Sequence, residues 1–429
     1  MKVAVEGCCH GELDDIYAHI SNLETQHGYK VDLLLICGDF QAVRNHRDLQ
    51  CMAVPNKYKA LQTFYKYYTG EKTAPVLTII IGGNHEASNY LWELYHGGWV
   101  APNIYFLGHA GCVQVNGIRI AGVSGIFKGY NFSSGSYEKI PYDSSTIRSI
   151  YHIREFNIRR LSLLSKPDVV LSHDWPQSID QHGDVRNLIR RKAHFRAEIE
   201  QGTFGAPPLM GLLHTLKPSW WFAAHMHVRF EATVVHNPGP PATADNPDEI
   251  TIDDEDIDGP PAEPLRSNPD EISLDDEEVE TVAPPPIPAS RSETKYLALD
   301  KCMPKKQFLE VVDISSPKNQ SADSPVLCFD PEWLAITRAF NPWLSTTRYQ
   351  RPFPDEADAR EMVRKELEWV KENAGLEKTV ESCQQFCVTA PGPGSEGDQK
   401  LEQPAMYPNP QTRSFCQMLG IEDKIDKGT

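Results

Sequence analysis

Short runs of apolar residues recur along residues 1–235, and each run ends at a polar turn that often contains glycine. Because the runs are continuous rather than alternating, they predict strands that are buried on both faces of a sheet. Helix-like stretches lie between some of the runs, so the whole region reads as one α/β unit. The predicted strands are Val3–Val5, Leu33–Ile36, Val76–Ile81, Ile118–Val123, Val169–Leu171 and Trp220–Ala224. The predicted helices are Leu13–Glu24, Ser144–Ser165 and Asp184–Glu200.

The pattern changes after residue 235. Residues 236–293 are rich in Asp, Glu and Pro and poor in aromatic residues, a composition typical of disordered segments. Strand-like sequence resumes at Thr294–Asp300 and again at Phe308–Ile314. We therefore interpret the acidic stretch as an insertion, with residues 294–328 supplying return strands that complete the α/β domain.

The remainder, residues 329–429, predicts a mostly helical C-terminal region. Residues 331–378 have helical character, and Asn409–Ile425 carries a short apolar anchor. Between them, residues near 379–408 are interpreted as a disordered linker.

Charge is distributed unevenly over the 429 residues. The formal net charge is −17, but residues 245–293 alone contain 17 acidic and 2 basic side chains. The rest of the chain is nearly neutral, so nucleic acid is not excluded as its partner. The apolar runs are too short to span a membrane and the N-terminus lacks the pattern of a secretory signal. We expect an intracellular protein whose ten cysteines are reduced.

Chemically reactive side chains cluster directly after five of the apolar runs. The motifs, in chain order, are Cys8-Cys9-His10, Gly38-Asp39, Gly82-Gly83-Asn84-His85-Glu86, Ser172-His173-Asp174 and Ala224-His225-Met226-His227. Strand ends in one sheet bring sequence-distant loops to one edge, where α/β proteins bind ligands. Thiolate, imidazole, carboxylate and amide oxygen are all metal ligands, and a carboxylate such as Asp39 can bridge two ions. A lone histidine is usually an ordinary core residue, but five ordered clusters predict a metal site.

These motifs resemble those of the calcineurin-like metallophosphoesterases, and within them the RNA lariat debranching enzymes. The resemblance covers residues 1–235, resumes at residues 294–312 and includes parts of the C-terminal region. It implies an α/β fold, a metallophosphoesterase β-sandwich flanked by helices, with a small and mostly helical C-terminal region. The segments that carry it are Gly7–Leu13, Cys37–Asn45, Gly82–Asn89, Gly97–Tyr105, Ser144–His152 and Leu171–Pro176.

Carried over motif by motif, the resemblance implies a site for two divalent metal ions. His85, beside a ligand but not one itself, is assigned as the general acid that protonates the leaving oxygen. Bound metal lowers the pKa of water and so supplies a nucleophile at neutral pH. Because a thiolate is soft, Cys8 favours iron and zinc, with manganese able to substitute. One ion would be held by Cys8, His10, Asp39 and His227, and the other by Asp39, Asn84, His173 and His225.

The implied reaction is hydrolysis of the 2′–5′ phosphodiester at the branch of an excised intron lariat, which gives linear RNA for turnover. That substrate implies a role in mRNA processing and a location in the nucleus, with the cytoplasm as a further location. Residues 124–154 resemble the family's lariat recognition loop, although a helix at Ser144–Arg160 with a solvated basic face is a plainer interpretation. The implied contacts to branched RNA are Lys128, Tyr142, Arg148, Tyr151, His152 and Arg154.

Several alternatives remain open. The chain could be a calcineurin-like phosphoesterase acting on another phosphodiester or on a phosphoprotein, although Asp39–Arg44 does not fit the protein phosphatase pattern Asp-x-Val-Asp-Arg-Gly. A scaffold that has lost its metal site is the non-enzymatic alternative, and the complete set of ligand residues argues against it. Cys8 could also be a buried spectator thiol. The acidic repeats near residues 246–280 fit a solvated loop, or a strand-forming motif for a protein partner such as a small ubiquitin-like modifier.

Overall fold

The computed structural model describes residues 1–236, 292–316 and 325–426. The described residues within 1–235 and 293–426 form one compact unit. The acidic repeats, with the predicted disorder and partner motif, lie outside the described residues. The strands are β1 Lys2–Glu6, β2 Leu33–Ile36, β3 Leu77–Ile80, β4 Gly98–Ala101, β5 Ile104–Phe106, β6 Ala110–Val115, β7 Ile118–Val123, β8 Val169–Ser172, β9 Trp220–Ala223, β10 Phe230–His236, β11 Ser292–Ala298, β12 Leu309–Asp313 and β13 Leu327–Phe329.

Helices flank these strands, and the last three of them, with the segment 379–408 between, form the C-terminal layer. In the described ranges, none of the helices combines the length and the apolar character needed to span a membrane. The α-helices are α1 Leu13–His27, α2 Phe64–Tyr68, α3 Ser88–Glu93, α4 Gly129–Phe132, α5 Thr146–Ser149, α6 Glu155–Leu161, α7 Val185–Arg191, α8 Arg196–Glu200, α9 Pro207–Leu216, α10 Pro331–Phe340, α11 Glu356–Asn373 and α12 Pro410–Leu419.

The strands form two sheets. The first has the order β12-β1-β2-β3-β5-β4, in which β1, β2, β3 and β5 run parallel. The second has the order β10-β11-β9-β8-β7-β6-β13, in which β11, β9, β8 and β7 run parallel. The two return strands thus enter different sheets, because β12 pairs with β1 while β11 pairs with β9.

The continuous apolar runs are explained by burial on both sheet faces. Alternate residues such as Val3 and Leu35 join a core shared with the second sheet, including Val170. Their neighbours, such as Leu34, face the other way and pack with α1 residues such as Ile16. A strand that is covered on both sides gains from apolar side chains at every position. The arrangement is the expected β-sandwich flanked by helices.

The structure corrects the predicted linker near residues 379–408. This segment packs against the two sheets through a few apolar side chains, such as Val380 and Phe386, and through many polar contacts. Because its apolar residues are few, its composition suggested disorder. The backbone N–H groups of Thr389 and Ala390 each donate to the Tyr68 hydroxyl at 2.8 Å. The Glu396 carboxylate accepts from the His46 backbone N–H at 2.9 Å.

The structure also divides the helix predicted at Ser144–Ser165 into α5 and α6. The chain between them leaves helical geometry because Ile126 and His152 form a parallel β-bridge. The Ile126 N–H donates to the Tyr151 carbonyl at 3.2 Å, and the Ile153 N–H donates to the Ile126 carbonyl at 2.9 Å. Pairing with a distant strand-like segment outweighs the local helical preference here.

Candidate metal centre

The strand-end motifs of both sheets meet at one edge. Parallel strands place their carboxyl ends together, so loops that are far apart in sequence converge there. The residues at this edge are Cys8 and His10 after β1, Asp39 after β2, Asn84 and His85 after β3, His173 after β8, and His225 and His227 after β9.

The first group of potential ligands comprises Cys8, His10, Asp39 and His227. One ligand atom from each of the four lies within 4.8 Å of the corresponding atoms of the other three. The Nε2 atoms of His10 and His227 are 3.3 Å apart, and His10 Nε2 is 3.8 Å from Asp39 Oδ2. The backbone N–H of His225 donates to Cys8 Sγ at 3.2 Å, which favours negative charge on that sulfur.

The second group of potential ligands surrounds His173. Its Nε2 lies 3.3 Å from Asp39 Oδ1 and 3.2 Å from Asn84 Oδ1. Its Nδ1 is 2.8 Å from the Cys37 carbonyl oxygen, which accepts the proton and leaves the Nε2 lone pair directed into the site. The rings of His173 and His225 have centroids 5.0 Å apart. Asp39 therefore lies between the two groups and presents one oxygen to each.

The backbone at this edge is strained. His10, Asp39, His225 and His227 all have positive φ, between 46° and 60°. Non-glycine residues in this region cost about 1–3 kcal/mol each and cluster at functional sites. The positive φ values therefore show that four of the predicted ligands are held in conformations that the surrounding structure must enforce.

Two features hold Asp39 in its conformation. The buried Glu86 carboxylate accepts hydrogen bonds from the backbone N–H groups of Phe40, Gln41 and Gly83, each at 2.8 Å. At Gly83, a Cβ atom would lie 2.2 Å from Asp39 Oδ1, so a larger residue would displace the carboxylate. The third sequence motif contains Glu86, but no role was predicted for it. Its position directly after His85 was the signal that could have identified it as a supporting residue.

Burial sets the protonation of the cluster. It lowers the pKa of His10 to about 4 and that of His227 to about 3, so both imidazoles are neutral at neutral pH and can donate a lone pair. Burial also lowers the pKa of His225. For Asp39 burial acts to raise the pKa, but the neighbouring His173 outweighs it and the pKa is lowered well below its usual range. Burial, with Asp39 and Glu6, raises the pKa of the Cys8 thiol.

This donor set fits divalent metal ions. The neutral imidazoles of His10, His225 and His227, an ionised carboxylate and an amide oxygen are ready to bind. Asp39 outweighs burial and raises the pKa of His173, and a bound cation would displace that proton. The cation would likewise hold Cys8 as a thiolate despite its raised pKa. Two ligand groups that share Asp39 match a dinuclear site. The second ring nitrogens of His173 and His10 are also engaged, the latter at 3.3 Å from Gln41 Nε2, as is usual for metal-binding histidines.

His85 lies at the open side of the cluster. Its backbone N–H donates to Asp39 Oδ1 at 2.8 Å, which fixes the main chain beside the shared carboxylate. Its ring is half-buried, with its centroid 5.6 Å from that of His10. The imidazole can therefore reach a group bound at the metal centre while remaining open to water.

The six residues predicted to bind substrate divide into two classes. Lys128 and Arg148 are exposed and Tyr151 is half-buried, so these three can reach a ligand. The remaining three side chains, which were predicted to contact RNA, are buried in this structure. These are Tyr142, His152 and Arg154.

Two of the buried side chains, Arg154 and His152, have their partners within the loop. Arg154 Nη2 lies 2.6 Å from Glu138 Oε1 and donates to the Ser149 carbonyl, while its Nη1 donates to the Asn131 carbonyl. Burial lowers the pKa of His152 to about 4, and its Nδ1 lies 3.3 Å from Asn131 Oδ1. Alternation of aromatic and basic residues in the sequence does not distinguish such internal partners from exposed ones.

Two protein-family models match the chain. The calcineurin-like phosphoesterase family matches residues 1–229. The lariat debranching enzyme C-terminal domain matches residues 291–424. Together they cover every strand of the two sheets except β10, and the C-terminal helices.

Individual relatives match along nearly the whole chain. The lariat debranching enzyme of Drosophila melanogaster is 46% identical over 438 residues, covering 99% of this chain and 78% of the fly protein. The lariat debranching enzyme of Homo sapiens is 43% identical over 434 residues, covering 99% and 70%. That of Schizosaccharomyces pombe is 40% identical over 459 residues, covering 99% and 96%.

Proposed function

The chain belongs to the lariat debranching enzyme family of calcineurin-like phosphoesterases, and from this premise we propose how its strand-end cluster works. Its activity is debranching of lariat RNA, by hydrolysis of the phosphodiester at the branch. The observation that carries the proposal is the position of Asp39, whose two oxygens face two separate groups of metal-ligating side chains. That arrangement supports two-metal hydrolysis of a phosphodiester.

We assign the two metal sites as follows. When bound, the ions would polarise the scissile phosphate and activate water as the nucleophile. The Cys8 sulfur favours iron or zinc in the first site, with manganese as a substitute, because a thiolate prefers softer cations. The first site uses Cys8, His10, Asp39 and His227, and the second uses Asp39, Asn84, His173 and His225.

In this proposal His85 is the general acid. Proton donation is needed because the 2′-oxygen of the branch nucleotide is a poor leaving group as an alkoxide. The hydrogen bond from the His85 backbone to Asp39 keeps the imidazole beside the metal centre without making it a ligand. Lys128, Arg148 and Tyr151 are the residues of loop 124–154 that can contact RNA, through phosphate or by stacking.

The test is cleavage of a synthetic RNA with one 2′–5′ branch, compared with a linear RNA of 3′–5′ linkages only. The wild-type protein should cleave only the branched RNA. His85→Ala should lower kcat by about 10²–10⁴-fold, the usual contribution of a general acid, while the metal content per chain is retained. The metal assay on the same preparations should find iron or zinc.

Two controls sharpen the test. His194→Ala removes an exposed histidine elsewhere and should leave kcat unchanged. Bis(4-nitrophenyl) phosphate has a leaving group that needs no proton, so His85→Ala should hydrolyse it nearly as fast as wild type. Equal cleavage of both RNAs would leave a phosphoesterase of different specificity, and loss of metal in His85→Ala would remove the acid assignment.

The substrate also suggests where the enzyme acts. Excised introns arise in the nucleus, so we place the protein there, with the cytoplasm as a further location. Imaging of the tagged full chain would check this, and exclusion from the nucleus would contradict it.

A further inference from the structure

A cluster of basic side chains adjoins the first group of metal ligands, on a part of the chain that carries none of the strand-end motifs. Residues 299–306 follow β11 and run directly beside Cys8. The Cys8 N–H donates to the Asp300 carbonyl at 3.3 Å, and the Cys302 N–H donates to the Cys8 carbonyl at 3.1 Å. Cys8 and Lys301 form a parallel β-bridge. Lys301 is therefore attached to the backbone of the metal centre itself.

The end of α7 supplies the second part of the cluster. Arg191 donates to the Arg229 carbonyl at 2.9 Å, which places this helix end next to the loop that carries His227. Lys192 follows Arg191, and both Lys192 and Lys301 are close enough to His227 to help lower its pKa, after the larger effect of burial. The two lysines thus lie near the same candidate ligand, on different elements.

The cluster carries more positive than negative charge. Arg191, Lys192, Lys301 and Lys306 lie near one another, and the carboxylate among them is Asp300, whose Oδ2 is 3.2 Å from Lys306 Nζ. Within the described ranges, Lys192 and Lys301 form no ion pair. Both side chains are half-exposed, and Arg191 and Lys306 are exposed. Like charges held together at a surface are stabilised by a polyanion.

The substrate of the proposed function needs such a surface. A branch nucleotide carries phosphodiesters on its 2′, 3′ and 5′ oxygens, so three RNA arms leave the metal centre. Loop 124–154 is tied to the second group of ligands, because the Phe127 N–H donates to Asp174, the residue after His173, at 3.0 Å. The basic cluster instead adjoins Cys8 and His227 of the first group. The two surfaces therefore border different parts of the site.

We propose that Lys192 and Lys301, supported by Arg191 and Lys306, bind backbone phosphates of one RNA arm as it leaves the first metal site. This inference rests on the proposed debranching function. Lysines act as point charges on phosphate and read no base, so the surface would position the arm without sequence preference. A single-stranded RNA is the occupant that matches a run of positive charge beside a phosphodiesterase site.

The test uses the full chain with Lys192→Gln and Lys301→Gln combined, and branched RNAs with all arms or with one arm shortened in turn. The double variant should raise KM for the full substrate roughly tenfold while kcat stays within about twofold. The slope of log(kcat/KM) against log salt should become shallower by about 1.4, because each single-stranded phosphate contact contributes about 0.7. Shortening one particular arm should abolish the difference from wild type.

The matched control is Lys166→Gln combined with Lys217→Gln. These exposed lysines precede β8 and β9 at the opposite edge of the same sheet, and their loss should leave KM and the salt slope unchanged. Lys301→Arg keeps the charge and should keep KM near the wild-type value. Metal content is measured in every preparation, since Lys301 lies beside Cys8.

Each outcome decides the proposal. A KM defect that disappears with one shortened arm and is rescued by Lys301→Arg supports it. An unchanged KM and salt slope on every substrate would overturn it while leaving the debranching function intact. A loss of kcat with reduced metal content, not rescued by arginine, would show that the lysines support the metal site rather than RNA. Failure of wild type to prefer branched RNA would instead remove the function on which the inference rests.

Discussion

Loop 124–154 and segment 379–408 are two irregular stretches that pack against the catalytic sheets, and they are anchored differently. The loop contains both partners of its buried ion pair, Arg154 and Glu138. Segment 379–408 is held by side chains from outside it. Arg44, which follows Asp39 in the same loop, donates to the Thr389 hydroxyl at 2.9 Å. The Tyr68 hydroxyl accepts a hydrogen bond from the backbone N–H of Thr389.

This difference predicts how each segment couples to the metal centre. The loop's buried ion pair can fail locally, because both of its partners lie within the loop, while the hydrogen bonds that tie the loop to Asp174 and Gln403 stay in place. An anchor supplied by the Asp39 loop cannot fail without disturbing that loop. Arg44 is fully buried, its guanidinium forms two hydrogen bonds with Asp48 at 2.8 and 3.0 Å, and another with Glu93 at 2.9 Å. The C-terminal layer is thus connected to the metal centre through one buried network.

The largest loss of unfolding free energy is expected from Arg44→Met. It leaves the Asp48 and Glu93 carboxylates buried without their cation, and removing one partner of a buried pair costs about 3–5 kcal/mol. We expect the whole catalytic unit to lose this stability in urea unfolding, and debranching activity to fall with it. Arg44→Lys should not restore it, because lysine cannot make the two parallel bonds to Asp48.

Arg47→Met is the matched control for that prediction. Arg47 contacts the same segment through Gln399 and the Gln403 carbonyl, but it is only half-buried. Its loss should cost no more than about 1 kcal/mol, the usual value for a net hydrogen bond. Equal costs for the two variants would mean that the buried network does not anchor segment 379–408.

A smaller and local effect is expected from Arg154→Met. Glu138 would lose its cation, at a cost of about 3 kcal/mol at most if the loop opens without the sheets. Amide hydrogen exchange should rise across residues 128–152 and remain unchanged in β1 and β8. KM for branched RNA should rise because Lys128 and Tyr151 would no longer be held in place.

Two variants separate anchoring by Arg154 from direct contact with RNA. Glu138→Gln combined with Arg154→Met removes both charges and should recover part of the lost protection, as expected for coupled residues. Arg148→Met removes an exposed arginine of the same loop and should raise KM without changing hydrogen exchange. Fast hydrogen exchange throughout the sheets in Arg154→Met would contradict the prediction that the loop opens while the sheets stay folded.

The two segments also show what the sequence can reveal. The convergence of the candidate ligand residues was predictable because the ends of parallel strands meet at one edge of a sheet and each motif follows an apolar run. The ordered structure of segment 379–408 was not predictable, because it depends on polar partners such as Arg44 and Tyr68, which lie more than 300 residues away in the sequence. Burial of Arg154 was equally hidden, since its partner Glu138 lies in an irregular stretch with no periodicity. Long-range polar pairing leaves no local pattern.

The smallest expected effect is a pH dependence of the unfolding free energy that arises from Glu396 in segment 379–408. Burial of Glu396 acts to raise its pKa, but hydrogen bonds from the His46 backbone and imidazole outweigh it and lower the pKa to about 2. A carboxylate with a lowered pKa stabilises the fold fully above its unfolded pKa of 4.5, and this contribution is lost as pH falls toward 2. Between pH 5 and pH 3, wild type should lose about 1 kcal/mol more unfolding free energy than Glu396→Gln.

Urea unfolding at both pH values measures this difference. Glu402→Gln, an exposed carboxylate of the same segment, should follow the wild-type pH dependence. If Glu396→Gln also follows wild type, the Glu396–His46 contact does not contribute to holding the segment, and Arg44 alone would carry the anchoring. A pH effect present in Glu396→Gln but absent in Arg44→Met would instead show that acid acts on the buried Asp48 and Glu93 network. The acid response thus identifies which contact, Arg44 with Thr389 or His46 with Glu396, connects segment 379–408 to the Asp39 loop.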